Sequence, residues 1–271
     1  MRNDLLPVPA RVEEVIVETP TIRTLVLRPA EVFAFRAGQF VQLYVPGVGE
    51  APFTPSSSPA APERLEVTVL AAGRVTAALH ELEAGAEIGV RGPFGRGYPL
   101  PQLAGREVVV VGGGVGLAPL RSLLHALFER PGHARRVSIK YGARHPQELC
   151  FRRQYAEWAA RPGVDFTATI DRPAAGWAGR VGLVTTLLDN LDVDLERACA
   201  VSCGPEVMLK FVAHKLVDVG FPPERIYLSM NRNMTCGMGI CGRCNVGDRY
   251  LCKDGPDLSW AEVRDVPYAL G

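Results

Sequence analysis

The sequence predicts an antiparallel β-barrel domain, then an α/β domain built on a parallel sheet, then a small cysteine-rich C-terminal loop. Three observations predict it. Short runs of alternating apolar residues, broken by Pro and Gly, fill the first hundred positions. From about residue 103 a continuous apolar run, a glycine-rich turn and a run at helical spacing open an alternation of strands and helices. Four of the seven cysteines then crowd between Cys236 and Cys252. The expected domains are 1–102, 103–230 and 231–271.

Composition narrows the classes. The chain has 271 residues, 47% of them hydrophobic, enough for two ordinary cores and an appendage. Thirty basic residues against 29 acidic give a net charge of +1, which suits neither nucleic acid nor an anionic membrane as partner. The longest apolar run, Glu107 to Leu127, contains Gly112, Gly113, Gly114, Gly116 and Pro119, so it reads as strand–loop–helix and not as membrane insertion. The first ten residues lack the apolar core of an export signal, and the free thiols then point to a reducing, cytoplasmic setting.

In the first domain, Arg11 to Thr19 alternates around Val12, Val15 and Val17. Thr21 to Leu27, Gln39 to Val45 and Leu65 to Leu70 do likewise. Ala51 to Pro59 is extended and hydroxyl-rich, with Phe53 its one aromatic. It offers a flat apolar neighbour and hydrogen-bonding groups to a flavin ring, and on its own it also reads as a Ser/Pro surface loop. Gly73-Arg74-Val75-Thr76 opens a helical stretch through Leu79 and Leu82. Free N–H groups at that helix start, with Arg74, suit a pyrophosphate; a plain capped helix is the simpler alternative. Gly92-Pro93-Phe94-Gly95 closes the last strand as a turn.

In the second domain, Glu107 to Val111 reads as a strand buried on both faces. Gly112-Gly113-Gly114-Val115-Gly116-Leu117-Ala118-Pro119 follows, with Leu120, Leu123, Leu124, Leu127 and Phe128 at helical spacing. This resembles the dinucleotide-binding turn, but Leu117 stands where the third glycine of the strict fingerprint belongs. Strands are expected at Arg136 to Tyr141, Asp165 to Ile170, Ala198 to Ser202 and, as the last one, Arg225 to Ser229. Helices are expected at Glu148 to Trp158, Val181 to Leu191 and Pro205 to Val219. Cys203-Gly204 sits at the carboxyl end of a strand, where ligands of such sheets bind. Cys203 suits a nicotinamide there, or is a small buried cysteine. Arg144, after the second strand, stands where a 2′-phosphate is met, and no Asp or Glu immediately follows that strand to hold a ribose 2′-OH, which tilts weakly to NADPH without settling it against NADH.

The C-terminal cysteines, Cys236, Cys241, Cys244 and Cys252, are spaced C-x4-C-x2-C-x7-C with Gly237, Gly239 and Gly242 between them. The first three cysteines have the spacing of plant-type [2Fe–2S] ligands. The fourth comes much sooner than in a ferredoxin, so a short cluster loop is expected and not a ferredoxin domain. A structural zinc site is the rival, since Cys241-x-x-Cys244 also suits zinc; disulfides fit a chain without an export signal poorly. The five histidines show no ligand spacing.

Taken in order, Phe53-Thr54, Gly73 to Thr76, Gly112 to Pro119, Cys203-Gly204-Pro205 and the cysteine loop resemble the ferredoxin–NADP reductase superfamily. Within it the chain is similar to flavin/[2Fe–2S] electron-transfer subunits of larger redox enzymes. These are the gamma subunits of sulfhydrogenases and NAD(P)-linked nickel–iron hydrogenases, the small subunit of the bifurcating NADH-dependent ferredoxin:NADP oxidoreductase, and the electron-transfer subunits of anaerobic sulfite reductase and of class-B dihydroorotate dehydrogenase. The resemblance implies FAD, a [2Fe–2S] cluster and NAD(P)H as cofactors. It implies that Pro52, Phe53 and Thr54 lie along the isoalloxazine, Thr54 near its N5, and that Gly73, Arg74, Val75 and Thr76 hold the pyrophosphate. Gly112, Gly113, Gly114, Val115, Gly116, Ala118 and Pro119 would hold the nicotinamide dinucleotide, with Cys203 and Gly204 beside its reactive ring. The partner would be another redox subunit, such as a hydrogenase or sulfite reductase, or a soluble electron carrier. Many members carry Arg and Tyr where this chain has Ala51 and Phe53, which removes one phosphate contact.

Overall fold

The computed structural model describes residues 5–129 and 132–270; residues 1–4 of the stretch read for an export signal lie outside the described residues. The first domain is a six-stranded antiparallel sheet of β1 (Val8–Thr19), β2 (Ile22–Pro29), β3 (Phe40–Val45), β4 (Gly49–Phe53), β5 (Leu65–Leu70) and β6 (Glu87–Phe94), in the order β4-β3-β6-β1-β2-β5. A bridge between Pro55 and Val67 brings the β4 end back to β5, closing the predicted barrel. Helix α1 (Arg74–His80) covers one opening and buries Leu79. Alternation holds along the start of β1, where Val8, Ala10 and Val12 are buried and Pro9 and Arg11 exposed. A register shift between Val12 and Glu14 then changes the face, and Val17 ends up 67% exposed.

After the short α2 (Leu100–Leu103) comes a seven-stranded sheet of β7 (Glu107–Gly113), β8 (Arg136–Ala143), β9 (Val164–Ile170), β10 (Arg180–Val181), β11 (Ala198–Cys203), β12 (Ile226–Ser229) and β15 (Asp257–Ser259), in the order β10-β9-β8-β7-β11-β12-β15. All pairings are parallel except β12–β15. Val108 to Val111 are each at most 1% exposed. They sit between α3 (Leu117–Glu129) and α5 (Glu206–Asp218), and burying such a side chain contributes roughly 1.5–3 kcal/mol.

Three expectations need correction. Val181 to Leu191 is not an α-helix: a strand residue, the positive-φ Gly182 and a short 3-10 turn over Val184–Leu188 take its place. The helix expected from Glu148 begins only at Tyr155, as α4 (Tyr155–Ala160), because Phe151 adopts a left-handed φ of 55° that breaks the run. Ser229 does not end the sheet. The C-terminal segment continues through β13 (Asn245–Val246), β14 (Arg249–Tyr250) and α6 (Leu251–Asp254), adds β15 antiparallel to β12, and packs α7 (Trp260–Val263) through Trp260 and Val263. The cysteine loop therefore shares a core with the nucleotide-binding sheet: Cys244, Cys252 and Leu251 cluster with Leu228 and Leu258.

Candidate functional site

A cavity of about 800 Å³ lies between the two domains, within the usual range for small-molecule sites. One wall is Pro52, Phe53 and Thr54 at the end of β4, with Phe40, Ile22 and Thr68 beside them. The other is Gly113, Gly114, Val115, Gly116, Ala118 and Pro119 at the start of α3, with Cys203 and Gly204 at the end of β11. Arg144 lines its far end. Of the expected nucleotide-loop residues, Gly112 is buried in β7 just behind the lining. Gly73, Arg74, Val75 and Thr76 lie outside this cavity. Thr76 lines a neighbouring cavity of about 460 Å³ that shares Pro52, Phe53 and Asn231 and adds Arg232 and Asn233. The Thr76 hydroxyl accepts hydrogen bonds from the N–H groups of Ala72 (2.9 Å) and Gly73 (2.8 Å), so those two donors are already engaged.

The glycine loop is shaped by two constraints. Gly114 has φ +54°, a conformation that disfavours other residues. At Gly116 a Cβ would overlap the Cys203 carbonyl and approach the Gly204 Cα to 2.7 Å, so backbone meets backbone there. The Tyr141 hydroxyl donates to the Gly114 carbonyl at 3.0 Å and accepts the Cys150 N–H at 3.1 Å, fixing the loop from beneath. Burial pushes the Cys150 thiol up to about 12, so it stays a neutral core group.

Register places Gly112, Cys203, Ser229 and Asp257 side by side across β7, β11, β12 and β15, at the carboxyl ends of the parallel strands. Tyr98 and Gly38 of the barrel domain close over Asp257. Burial, and then the Asp257 charge, push the Cys203 thiol up to about 12. Cys203 is thus a neutral, polarisable part of the cavity wall and not an activated nucleophile. Neither Asp257 oxygen makes a hydrogen bond of good geometry among the described residues. Burial raises this carboxyl from 3.8 to about 7, with the Ser229 hydroxyl offsetting part of the penalty. Because the folded-state value is raised, the stability that goes with the protonated acid is complete below about pH 4 and lost as pH climbs through 7. Asp257→Asn is expected to match the wild type in urea denaturation near pH 4 and to exceed it at pH 8 by roughly 2–4 kcal/mol. Equal stabilities at pH 8 would contradict the assignment.

Cys236 lies beside Cys241, and Cys252 beside Cys244 and Cys236. Four thiols are what a binuclear iron–sulfur centre takes from the protein. Gly237, Gly239 and Gly242 all have φ between 73° and 79°, which turns backbone N–H groups toward sulfur. Met238 and Ile240 donate to Cys236 Sγ at 3.4 Å and Gly239 to Cys252 Sγ at 3.0 Å. Burial pushes the Cys236 thiol up, but N–H donors from Cys241, Met238 and Ile240 outweigh it and bring it down to about 6. Burial and Cys244 push Cys252 up to about 12, a thiol that only a bound metal would ionise. This donor set fits an iron–sulfur cluster.

Sequence reasoning missed several groups. Glu148 and Asp171 line the cavity beside Arg144, and Arg144 Nε donates to Glu148 at 2.9 Å. Arg144 is ion-paired with Glu148 while its side chain stays 76% exposed. Glu148 stands four residues past Arg144, and Asp171 follows β9; only the fold brings the three together. Ser229, Asn231, Met234 and Pro256 also line the cavity. Asn231 and Met234 carried a signal, standing just before the first cluster cysteine.

Three family profiles match the chain: an oxidoreductase FAD-binding domain over residues 10–98, an oxidoreductase NAD-binding domain over 110–214, and the iron–sulfur cluster binding domain of dihydroorotate dehydrogenase B over 231–264. The chain is 34% identical over 249 residues to the sulfhydrogenase 1 subunit gamma of Pyrococcus furiosus, covering 89% of this chain and 85% of that one. It is 35% identical over 258 residues to the probable dihydroorotate dehydrogenase B (NAD(+)), electron transfer subunit, of Methanocaldococcus jannaschii, covering 94% and 90%. Among solved structures, the NADH-dependent reduced ferredoxin-NADP oxidoreductase described for flavin-based electron bifurcation matches with a TM-score of 0.77 at 26% identity, over 97% of this chain and 91% of that one. Among the described residues no helix is long and apolar enough to cross a membrane.

Proposed function

This chain belongs to the family of FAD- and NAD-binding iron–sulfur electron-transfer subunits, and from that premise we propose that it moves electrons from NAD(P)H to a [2Fe–2S] cluster held by Cys236, Cys241, Cys244 and Cys252, and on to a partner redox subunit. Bound FAD supplies the one chemical need, a carrier that takes two electrons at once and releases them singly. The protein supplies position. Pro52 and Phe53 give the flavin an apolar edge, and Thr54 brings a hydroxyl to its polar edge. Gly113 to Pro119 present backbone N–H groups at the start of α3 to the dinucleotide phosphates. Cys203 and Gly204 set the nicotinamide against the flavin and keep water from the transfer path. Residues 1–102, 103–230 and 231–271 carry these three tasks in turn. The unpaired thiols suit a cytoplasmic location. A soluble carrier in place of a partner subunit is the second reading, favoured by the exposed Ile240 (76%) and Cys241 at the tip of the cluster loop.

The observation that carries this reading is the shared cavity, where Pro52 to Thr54 face the glycine loop and Cys203. Its test is anaerobic rapid mixing with each nucleotide: the flavin band should bleach first and the cluster absorbance should follow. Bleaching without any cluster phase would defeat the reading. The same assay resolves the nucleotide. A 2′-phosphate at Arg144 meets two carboxylates and one cation, a net repulsion. Two charges about 5 Å apart in water interact by about 0.8 kcal/mol, and a phosphate carries nearly two. Glu148→Gln is therefore expected to raise the ratio of kcat/KM for NADPH over NADH by about ten-fold. An unchanged ratio places the 2′ position elsewhere.

A further inference from the structure

Glu50, Gln42 and Arg91 share one outer face of the barrel with Pro52. Gln42 pairs with Pro52 across β3–β4 and with Arg91 across β3–β6, and Glu50 lies two residues before Pro52 on β4. Residues paired directly across strands, and those two apart along one, point to the same side. All three polar side chains are spent on one task. Arg91 Nη1 donates to the Cys236 carbonyl at 2.9 Å, and Nη2 to the Thr235 carbonyl at 3.1 Å. Gln42 Nε2 donates to the carbonyls of Met234 and Thr235. Glu50 grips the other edge of the guanidinium, Oε1 to Nη2 at 2.7 Å and Oε2 to Nε at 3.2 Å. The Arg91 side chain is 6% exposed and its guanidinium lies 5.1 Å from the Phe94 ring centroid. That same ring would touch any Cβ at Gly237, the residue after the first cluster cysteine, at 2.7 Å.

We propose that Arg91 is the positioning residue that ties the flavin-bearing strand to the cluster loop, and that its buried cation raises the cluster's affinity for an electron. The inference rests on the function proposed above. One guanidinium joins the two redox sites, through Glu50 to β4 and through the Thr235 and Cys236 carbonyls to the loop. A planar fork satisfies several acceptors at once in a way an ammonium does not. A fixed positive charge beside a cluster that gains an electron favours the reduced state, and Glu50 cancels part of that charge. The two residues therefore act in opposite directions on the potential, which a purely structural role would not produce.

The test is a redox titration of the cluster in the full-length holoprotein, followed by electron paramagnetic resonance, on wild type, Arg91→Gln, Arg91→Lys and Glu50→Gln. Arg91→Gln is expected to move the midpoint to more negative values and Glu50→Gln to more positive ones. Arg91→Lys keeps the charge and stays near the wild-type midpoint. In rapid mixing, Arg91→Gln slows cluster reduction at least ten-fold more than it slows flavin bleaching, the bleaching serving as internal reference. If Arg91→Gln fails to retain the cluster, Glu50→Gln decides: a positive shift supports the inference. No shift, or shifts of the same sign in both variants, overturns it while leaving the proposed function standing. A wild-type chain with no cluster defeats the function first and this inference with it.

Discussion

Cys241→Ser is expected to remove the cluster's electron paramagnetic resonance signal and to cut NADH-driven reduction of a one-electron protein acceptor by at least a hundred-fold, about 3 kcal/mol or more in activation terms. Bleaching of the flavin by NADH should persist within about three-fold. The reason lies in where each function sits. Cys241 is exposed on the loop tip, whereas Cys244 and Cys252 are buried in the core shared with β12 and β15. Losing a sulfur at the tip therefore costs little packing, but it removes one of the four thiols the cluster would need. A serine hydroxyl is far harder to ionise than a thiol and is a poor iron–sulfur ligand. A variant that keeps its signal and turnover would show that Cys241 is not a ligand.

Gly116→Val is expected to lower kcat/KM for NADH by about a thousand-fold or more, roughly 4 kcal/mol. FAD and the cluster should remain, and dithionite should still reduce both. A side chain at 116 has no room, because its Cβ meets the backbone of Cys203 and Gly204 and neither strand end can retreat without breaking the β7–β11 ladder. Relief comes by lifting the glycine loop off the sheet, which removes the N–H groups from the phosphates. Gly114→Ala is the measured contrast. A Cβ there meets nothing within 4 Å, so its cost is the positive φ alone, on the order of 1 kcal/mol and about five-fold in kcat/KM. Similar losses in the two variants would contradict the close-approach argument.

The elements that carry chemistry by local necessity were legible in the chain. A turn that must pass close to phosphates needs glycine, and a cluster loop needs thiols and tight turns, so Gly112 to Gly116 and Cys236 to Cys252 announced themselves. A continuous valine run such as Val108 to Val111 announces a strand covered on both faces. What the chain concealed depends on distant partners. β15 has three residues, too few for a period, and it forms because β12 offers an open edge. Val181 to Leu191 has apolar residues at helical spacing, but Leu183 is 59% exposed at the rim of the cavity, and Gly182 turns the backbone instead. Asp171 lies far from Arg144 in the chain, and only the fold sets the two on the same cavity with Glu148. Arg91 sits in an ordinary strand, 145 residues from the loop it holds, and nothing near it in the chain marks its role. Asp257 is the same kind of case, a carboxyl whose surroundings come from Gly38, Tyr98 and Ser229.

One preparation tests the central claim most directly: the full-length protein purified without oxygen, assayed for iron, acid-labile sulfide and flavin, and examined by electron paramagnetic resonance after adding reduced nicotinamide nucleotide. The account predicts about two irons, about two sulfides and about one FAD per chain, with an S = 1/2 signal that grows in on reduction. Zinc in place of iron, or iron that stays silent while the flavin bleaches, would contradict it.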